Sequence, residues 1–382
     1  MSKKLTIILS IVILLLSGSL TYYLMSKGKI NFLAAYNKPK IAQNGVEVID
    51  EGPKTQPCPL NGAFYTKGQE KRWEQRRPLG IAIENHLDSR PQSGLQNADV
   101  IYEAVAEGGI TRFLAIYLCE DTAIVGPVRS ARIYFLKLLQ GYGAYPLYAH
   151  VGGANTPGPA DALGEIVDIG WNLYNDLNQF AVPFPTFYRD YERLPNRVTE
   201  HTMYSGTDKL WSFAAKNRDL TDVDEDGNKW SEEFTQRKFK KDPKASDRGS
   251  VNTITFGFWD QFSKNYSVTW KYNKESNNYK RENGGSPHTD LNTKKQLEFK
   301  SVIVVFVDES PANDGYPGGH LLYEVVGDGD GILFQDGKVS EITWEKNDEE
   351  DTMLFFVDGD EVELTAGKIF VEILPTGNKV EY

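Results

Sequence analysis

Two apolar runs, Val100 to Ala106 and Phe113 to Leu118, flank Glu107-Gly108-Gly109-Ile110, and no other feature of the chain constrains its fold as tightly. Adjacent glycines between β-prone runs read as a tight hairpin turn, so the segment predicts an antiparallel strand pair. Ile81-Ala82-Ile83 and Leu147-Tyr148-Ala149 read as further strands, and Ala131 to Leu139 and Ala160 to Val167 as helices. Residues 56–240 are therefore expected to form a mixed α/β (α+β) domain. Lys240 to Ser250 is charged and turn-rich, which marks a boundary. Beyond it the runs Thr253 to Phe258, Ser267 to Tyr272, Val302 to Val307, Leu321 to Val326, Thr352 to Val357 and Lys368 to Leu374 predict a β-rich domain over residues 251–382.

The start of the chain points to a membrane. Leu5 to Met25 carries no charge and as a helix would span about 31 Å, close to the ~30 Å hydrocarbon core. An N-terminal transmembrane helix within residues 1–26 is thus part of the expected fold class, with residues 27–55 as a linker to the folded region. Lys3 and Lys4 favour a cytoplasmic N-terminus, although Lys27 and Lys29 behind the run weaken the asymmetry. A cleavable signal peptide is the rival reading, with Leu5 to Leu16 as its apolar centre and Ser17-Gly18-Ser19 for cleavage. No Cys follows the run, so a lipid-modified N-terminus is not expected. Either way the bulk of the chain lies outside the cytoplasm.

The 382 residues carry 42 Lys plus Arg against 53 Asp plus Glu, a net charge of -11. That balance gives no basic footprint for phosphates, so no nucleic-acid partner is expected. The two cysteines, in an oxidising compartment, point to a Cys58–Cys119 disulfide, with two unrelated buried thiols as the alternative.

Arg77-Pro78-Leu79 leading to Glu84-Asn85-His86, Arg90-Pro91-Gln92-Ser93-Gly94-Leu95, Ala98-Asp99-Val100-Ile101-Tyr102-Glu103, Glu107-Gly108-Gly109-Ile110-Thr111-Arg112 and Gly126-Pro127-Val128-Arg129-Ser130-Ala131-Arg132 together resemble the YerB family of extracytoplasmic bacterial proteins. The β-rich tail, with Tyr279-Lys280-Arg281, Trp344-Glu345-Lys346 and Asp358-Gly359, looks like that family's C-terminal domain. The resemblance implies an envelope location and no settled activity, so location is expected to be the bacterial membrane, single pass.

The chemistry must be read from the residues. In a regular strand Glu103 and Glu107 project to one face about 13 Å apart, too far for a glycosidase pair without a third carboxylate such as Asp99, Asp161 or Asp176. The bland reading pairs them with Arg112, Arg129 or Arg132 in an ion network. Ser130 reads as the N-cap of the helix beginning near Ala131, and with Arg129 and Arg132 it would form an anion pocket. His150 follows a strand and opens a loop containing Asn155. It could act as a base or ligand, with Asn175, Asp176, Arg189, Asp190, Glu200 and His201 completing a polar cleft, or it could be a satisfied structural residue. Asp222, Asp224, Asp226, Asn228 and Glu233 have the spacing of a calcium loop, although Lys229 departs from the usual apolar eighth position; a solvated acidic loop is the alternative.

Two functions follow as expectations. The first is a membrane-tethered envelope protein that recognises an anionic glycan, peptide or protein partner through Arg112, Arg129, Ser130, Arg132, His150, Asn155, Asp176 and His201. The second is an envelope glycan hydrolase using Glu103 or Glu107, with His150 as a further catalytic candidate. Calcium is the one cofactor expected.

Overall fold

The computed structural model describes residues 52–382. Strands β1 (Leu79–Glu84), β2 (Val100–Glu107), β3 (Ile110–Tyr117), β4 (Leu147–His150) and β5 (Asp176–Asn178) come from the first half of the chain. The second half supplies β6 (Thr253–Phe256), β7 (Val268–Asn273), β8 (Asn278–Asn283), β9 (Ser286–Pro287), β10 (Glu298–Phe299), β11 (Ser301–Val307), β12 (Gly327–Gln335), β13 (Lys338–Lys346), β14 (Leu354–Val357), β15 (Asp360–Glu361), β16 (Ile369–Pro375) and β17 (Val380–Glu381). Eleven of these form one sheet in the order β15-β14-β13-β12-β11-β16-β2-β3-β1-β4-β5. A second sheet runs β9-β8-β7-β6-β17, with β10 also on β8.

The hairpin expected around Gly108-Gly109 joins β2 to β3, and both glycines have positive φ, as a two-residue strand connection requires. Its residues are almost wholly buried because the pair sits mid-sheet, covered on both faces. On one face lies α2 (Ile133–Gln140), the second helix after α1 (Lys67–Trp73). Gly80 lets α2 approach closely, since a Cβ there would meet Leu139 Cδ1 at 2.7 Å. On the other face the second sheet packs through aromatic rings: Trp270 lies 5.0 Å and Phe299 5.1 Å, centroid to centroid, from Phe370 of β16. Burying such rings contributes about 2–3 kcal/mol each.

The α/β expectation for the first half is corrected by this architecture, which is mostly β with few, short helices. β16 lies parallel between β11 and β2 and is hydrogen-bonded to both, so strands from the two ends of the chain complete one sheet. A continuous apolar strand reveals burial on both faces but not which neighbours provide it. The expected transmembrane helix is likewise not part of the described structure. Among the described residues no helix is long and apolar enough to cross a membrane, and Leu5 to Met25 lies outside them.

Cys58 and Cys119 are joined by a disulfide that ties the start of the folded region to the end of β3. Both are buried, and Asp99 lies beneath them. Its Oδ2 accepts the amides of Leu118 (2.6 Å) and Cys119 (2.9 Å), and its Oδ1 accepts Asn61 Nδ2 (2.7 Å).

Candidate functional site

Parallel strands β1 and β4 pair only from Leu79 to Ile81 and Leu147 to Ala149, and then part. Residues 127–131 fill the opening as an extended segment. Glu84 N donates to Pro127 O (3.0 Å), Arg129 N to Ala82 O (2.9 Å), Val151 N to Arg129 O (3.0 Å) and Ala131 N to Gly152 O (2.9 Å). The opening lies at the carboxyl ends of parallel strands, where open sheets form binding crevices. This segment also corrects the expected helix start. Ala131 is still bridged to Gly153, so α2 begins at Ile133 with Arg132 as N-cap and no side-chain cap, and Ser130 caps nothing.

The wedge brings Arg129 beside Glu84, the last residue of β1. Arg129 Nε lies 3.1 Å from Glu84 Oε1, and His201 Nδ1 lies 2.8 Å from Glu84 Oε2. One carboxylate thus holds a guanidinium and an imidazole. Glu84 is only 4% exposed, whereas the Arg129 side chain is 24% exposed. Among the described residues no hydrogen-bond acceptor occupies the Arg129 Nη groups or His201 Nε2. The hydrogen bond that His201 Nδ1 donates to Glu84 raises the His201 pKa against the opposing effect of burial, so the ring stays doubly protonated to higher pH.

His86 stacks on His201 with ring centroids 4.8 Å apart. Its Nδ1 accepts the Asp88 amide at 3.1 Å, which leaves Nε2 as the donor of the neutral ring. His86, Asp88 and His201 bring potential metal-ligand atoms within 4.8 Å of one another. Two guanidiniums border the same group, however: Arg129 on Glu84 and Arg197, whose Nη1 is 3.7 Å from Asp88 Oδ1. With both Nδ1 atoms already engaged and two fixed cations beside them, the set suits an anion better than a cation. The other group of potential ligands, Cys58, Asp99 and Cys119, has its thiols joined in the disulfide.

Glu103 and Glu107, expected on one face of a regular strand, stand otherwise. A β-bulge between Val105 and Glu107 shifts the register, so Glu107 stands opposite Ile110 while Glu103 stands opposite Phe113. Ile110 and Phe113 are an odd number of residues apart, which places the two acids on opposite faces of the sheet. Glu107 lies between two arginines, with Arg112 Nη2 3.0 Å from Oε1 and Arg132 Nη2 on Oε2. Burial alone would push Glu107 up, but Arg112, Arg132 and Arg129 outweigh it and hold the pKa at about 2. A carboxyl ionised above that pH is no general acid near neutrality. Arg112 Nη1 also donates to Ser130 O at 2.8 Å, so Arg112 and Arg132 are consumed internally.

Because Glu107 titrates lower in the folded chain than in the unfolded one, its contribution to stability is present above pH about 4.5 and lost as pH falls toward 2. Glu107→Gln is expected to remove on the order of 2 kcal/mol of stability at pH 7 and to flatten the acid limb of a melting-temperature profile below pH 4. An acid limb identical to the parent's would show that the arginines do not hold this carboxylate.

Glu103 is buried on the opposite face. Its Oε1 accepts Thr111 Oγ1 (2.6 Å) and Asn85 Nδ2 (3.0 Å), and its Oε2 meets Arg281 of β8. His150 is fully buried: Nε2 lies 2.5 Å from Asp176 Oδ1 and Nδ1 2.7 Å from Gly152 O, so both ring nitrogens are occupied within the protein. Asn155 is exposed on the following loop. The structure therefore gathers Arg112, Arg129 and Arg132 around Glu84 and Glu107 with His201 alongside, and sets His150 with Asp176 apart as a buried pair. Glu84, His86, Arg281 and Glu372 were absent from the expected set. Glu84 and His86 lie in the Glu84-Asn85-His86 motif, and an acid inside the apolar run Ile369–Pro375 signals that Glu372 has a buried partner.

The acidic loop closes on itself. Asp224 Oδ1 accepts the amides of Asp226 (3.0 Å) and Asn228 (2.8 Å), and Oδ2 accepts Asn228 Nδ2 (3.2 Å). These bonds from Asn228 and Asp226 lower the Asp224 pKa. Asp222 is half-buried, Asp226, Asn228 and Glu233 are exposed, and a short 3-10 turn, Trp230–Glu233, stands where a calcium loop's exiting helix would begin.

Comparison with known proteins matches residues 66–221 to the N-terminal domain and residues 259–371 to the C-terminal domain of a family described as "Protein of unknown function (DUF3048)". The chain is 28% identical over 338 residues to "Putative lipoprotein YerB" of Bacillus subtilis (strain 168), covering 86% of this chain and 89% of that protein. The crystal structure of the YerB protein from Bacillus subtilis is similar with a TM-score of 0.68 and 25% identity, over 86% of this chain and 100% of that one. Both halves match, with the motifs around Glu84, Glu107 and Arg129 inside the first and Arg281 inside the second, and the chain belongs to the DUF3048 family.

Proposed function

We propose that this protein is an extracytoplasmic recognition module of the bacterial envelope that binds an anionic group of an envelope ligand at the carboxyl edge of its main sheet. The observation that carries the reading is Glu84, which is hydrogen-bonded to His201 Nδ1, forms an ion pair with Arg129 whose Nε makes no hydrogen bond, and leaves the Arg129 Nη groups and His201 Nε2 without protein acceptors among the described residues. A guanidinium held this way presents its Nη fork to a carboxylate or phosphate. His86 Nε2 and protonated His201 Nε2 supply further donors, so affinity rises as pH falls through the His201 titration. Similarity to a relative named as a lipoprotein supports the location. A hydrolase finds no support, because Glu107 is held ionised and Glu103 is sealed against Arg281.

The test is calorimetric titration of the parent and Arg129→Lys with inorganic phosphate and with a muropeptide bearing free carboxylates. Lysine keeps the charge but loses the fork, so affinity should fall roughly tenfold. Melting temperature should change little, since Glu84 retains His201. Absence of saturable binding, or equal affinity in the variant, overturns the reading.

A further inference from the structure

A cavity lies where the two halves of the chain meet, between residues 87–91 and the β8–β9 hairpin. Its volume is about 290 Å³, and its wall includes Leu87, Arg90, Pro91, Asn283, Pro287 and Thr289. Two groups in that wall are incompletely matched by the protein. Asn283 is 5% exposed, and while its Nδ2 donates to Asn85 Oδ1 at 3.0 Å, its buried Oδ1 accepts no hydrogen bond. A buried amide oxygen without a donor costs about 1–3 kcal/mol, so it marks a place where a donor from outside the chain is stabilising.

Arg90 is the second. Its Nε and Nη2 donate to Asn85 and its Nη1 to Asn265 O at 2.9 Å. Every one of these partners is neutral, and among the described residues no carboxylate lies within ion-pair distance of it. Three of its five N–H groups are used, leaving one on each Nη. Burial lowers its pKa to about 10, which still leaves it charged at neutral pH. The neighbouring His288 adds no charge, because its Nδ1 takes a hydrogen bond from Arg281 and its Nε2 donates to Gln92 Oε1. The cavity therefore combines an unneutralised cation, an unmet acceptor and apolar walls from Leu87, Pro91 and Pro287.

We propose that this cavity binds a single carboxylate-bearing residue with an adjacent amide or hydroxyl donor, the carboxylate on Arg90 and the donor on Asn283 Oδ1. The volume of about 290 Å³ falls just below the ~300–1,000 Å³ usual for ligand sites, which admits one residue rather than a length of polymer. An acidic N-acetylated sugar and an N-acylated amino acid share the required chemistry. The site uses a different arginine from the Glu84 cluster and stands or falls without it.

The experiment titrates the parent protein separately with N-acetylmuramic acid and N-acetylalanine, and repeats each titration on Ser286→Trp, Asn283→Ala and Arg129→Lys. Ser286 is exposed at the cavity rim, so tryptophan there blocks entry without touching the buried network. Saturable binding of either probe, weakened at least ~10-fold in Ser286→Trp at unchanged melting temperature and retained in Arg129→Lys, supports the site; the probe that binds identifies the source. No saturation by either probe overturns it. So does parent-like affinity in both Ser286→Trp and Asn283→Ala, or a loss confined to Arg129→Lys, which would assign the probe to the Glu84 cluster.

Discussion

Arg281→Ala should lower the free energy of unfolding by about 3–5 kcal/mol, the range for breaking a buried pair by removing one partner. Arg281 is fully buried, meets Glu103 through Nη2 and places Nε 3.5 Å from Glu372 Oε1. Glu103 and Glu372 stand side by side on adjacent parallel strands. Burial, reinforced by the Glu103 charge, raises the Glu372 pKa strongly, which disfavours two charged carboxylates beside the single Arg281 guanidinium. Trp270 Nε1 donates to Glu372 Oε1 at 3.0 Å, which extends the network into the second sheet. Removing the guanidinium strands Glu103 in a dry interior between the sheets. Arg281→Met keeps most of the volume and the contacts with the Phe370 and Trp270 rings, so its loss isolates the charge. Urea unfolding of both variants gives the comparison. A loss under about 1 kcal/mol in Arg281→Met would show that Glu103 needs no cation.

Asp99→Ala should cost about 3 kcal/mol or more, because the amides of Leu118 and Cys119 and the side chain of Asn61 lose their acceptor in a buried site. The pH dependence is more specific. Burial pushes the Asp99 carboxyl up to about 7 from an ordinary value near 3.8, with the backbone bonds from Cys119 and Leu118 opposing it. The folded chain therefore holds a proton that the unfolded chain has released across that window. The associated stability is fully present below pH about 3.8 and is lost as pH rises to about 7, a change of a few kcal/mol. Glu107 is ionised in both states between pH 5 and 8 and does not mask it. Melting temperatures across that window should fall for the parent and fall less for Asp99→Asn. Parallel profiles would mean that Asp99 is charged throughout and held by its three donors.

The hairpin at Gly108-Gly109, the strand ending at Ala149 and most strands after residue 250 were legible because each is specified locally, by a turn pair or an apolar run. The sheet order was not. β16 joins β11 and β2 across more than half the chain, and nothing in Ile369–Pro375 except its acid at Glu372 encodes a neighbour. Arg129 and His201 could be named as ligand groups from residue type and position, but their common anchor, Glu84, depends on β1 and β4 parting to admit the wedge. Glu103 and Glu107 were expected on one face of the strand and stand on opposite faces for a smaller reason: one bulge residue reverses the face of the second acid.

The central claim concerns the outer nitrogens of the Glu84 cluster, and the most direct measurement follows the His201 ring nitrogens by NMR while inorganic phosphate is added to the parent protein. The account predicts a saturable shift of the His201 Nε2 resonance and a titration midpoint for His201 that moves to higher pH when phosphate is bound. A His201 spectrum indifferent to phosphate, at a pH where the ring is protonated, would contradict it.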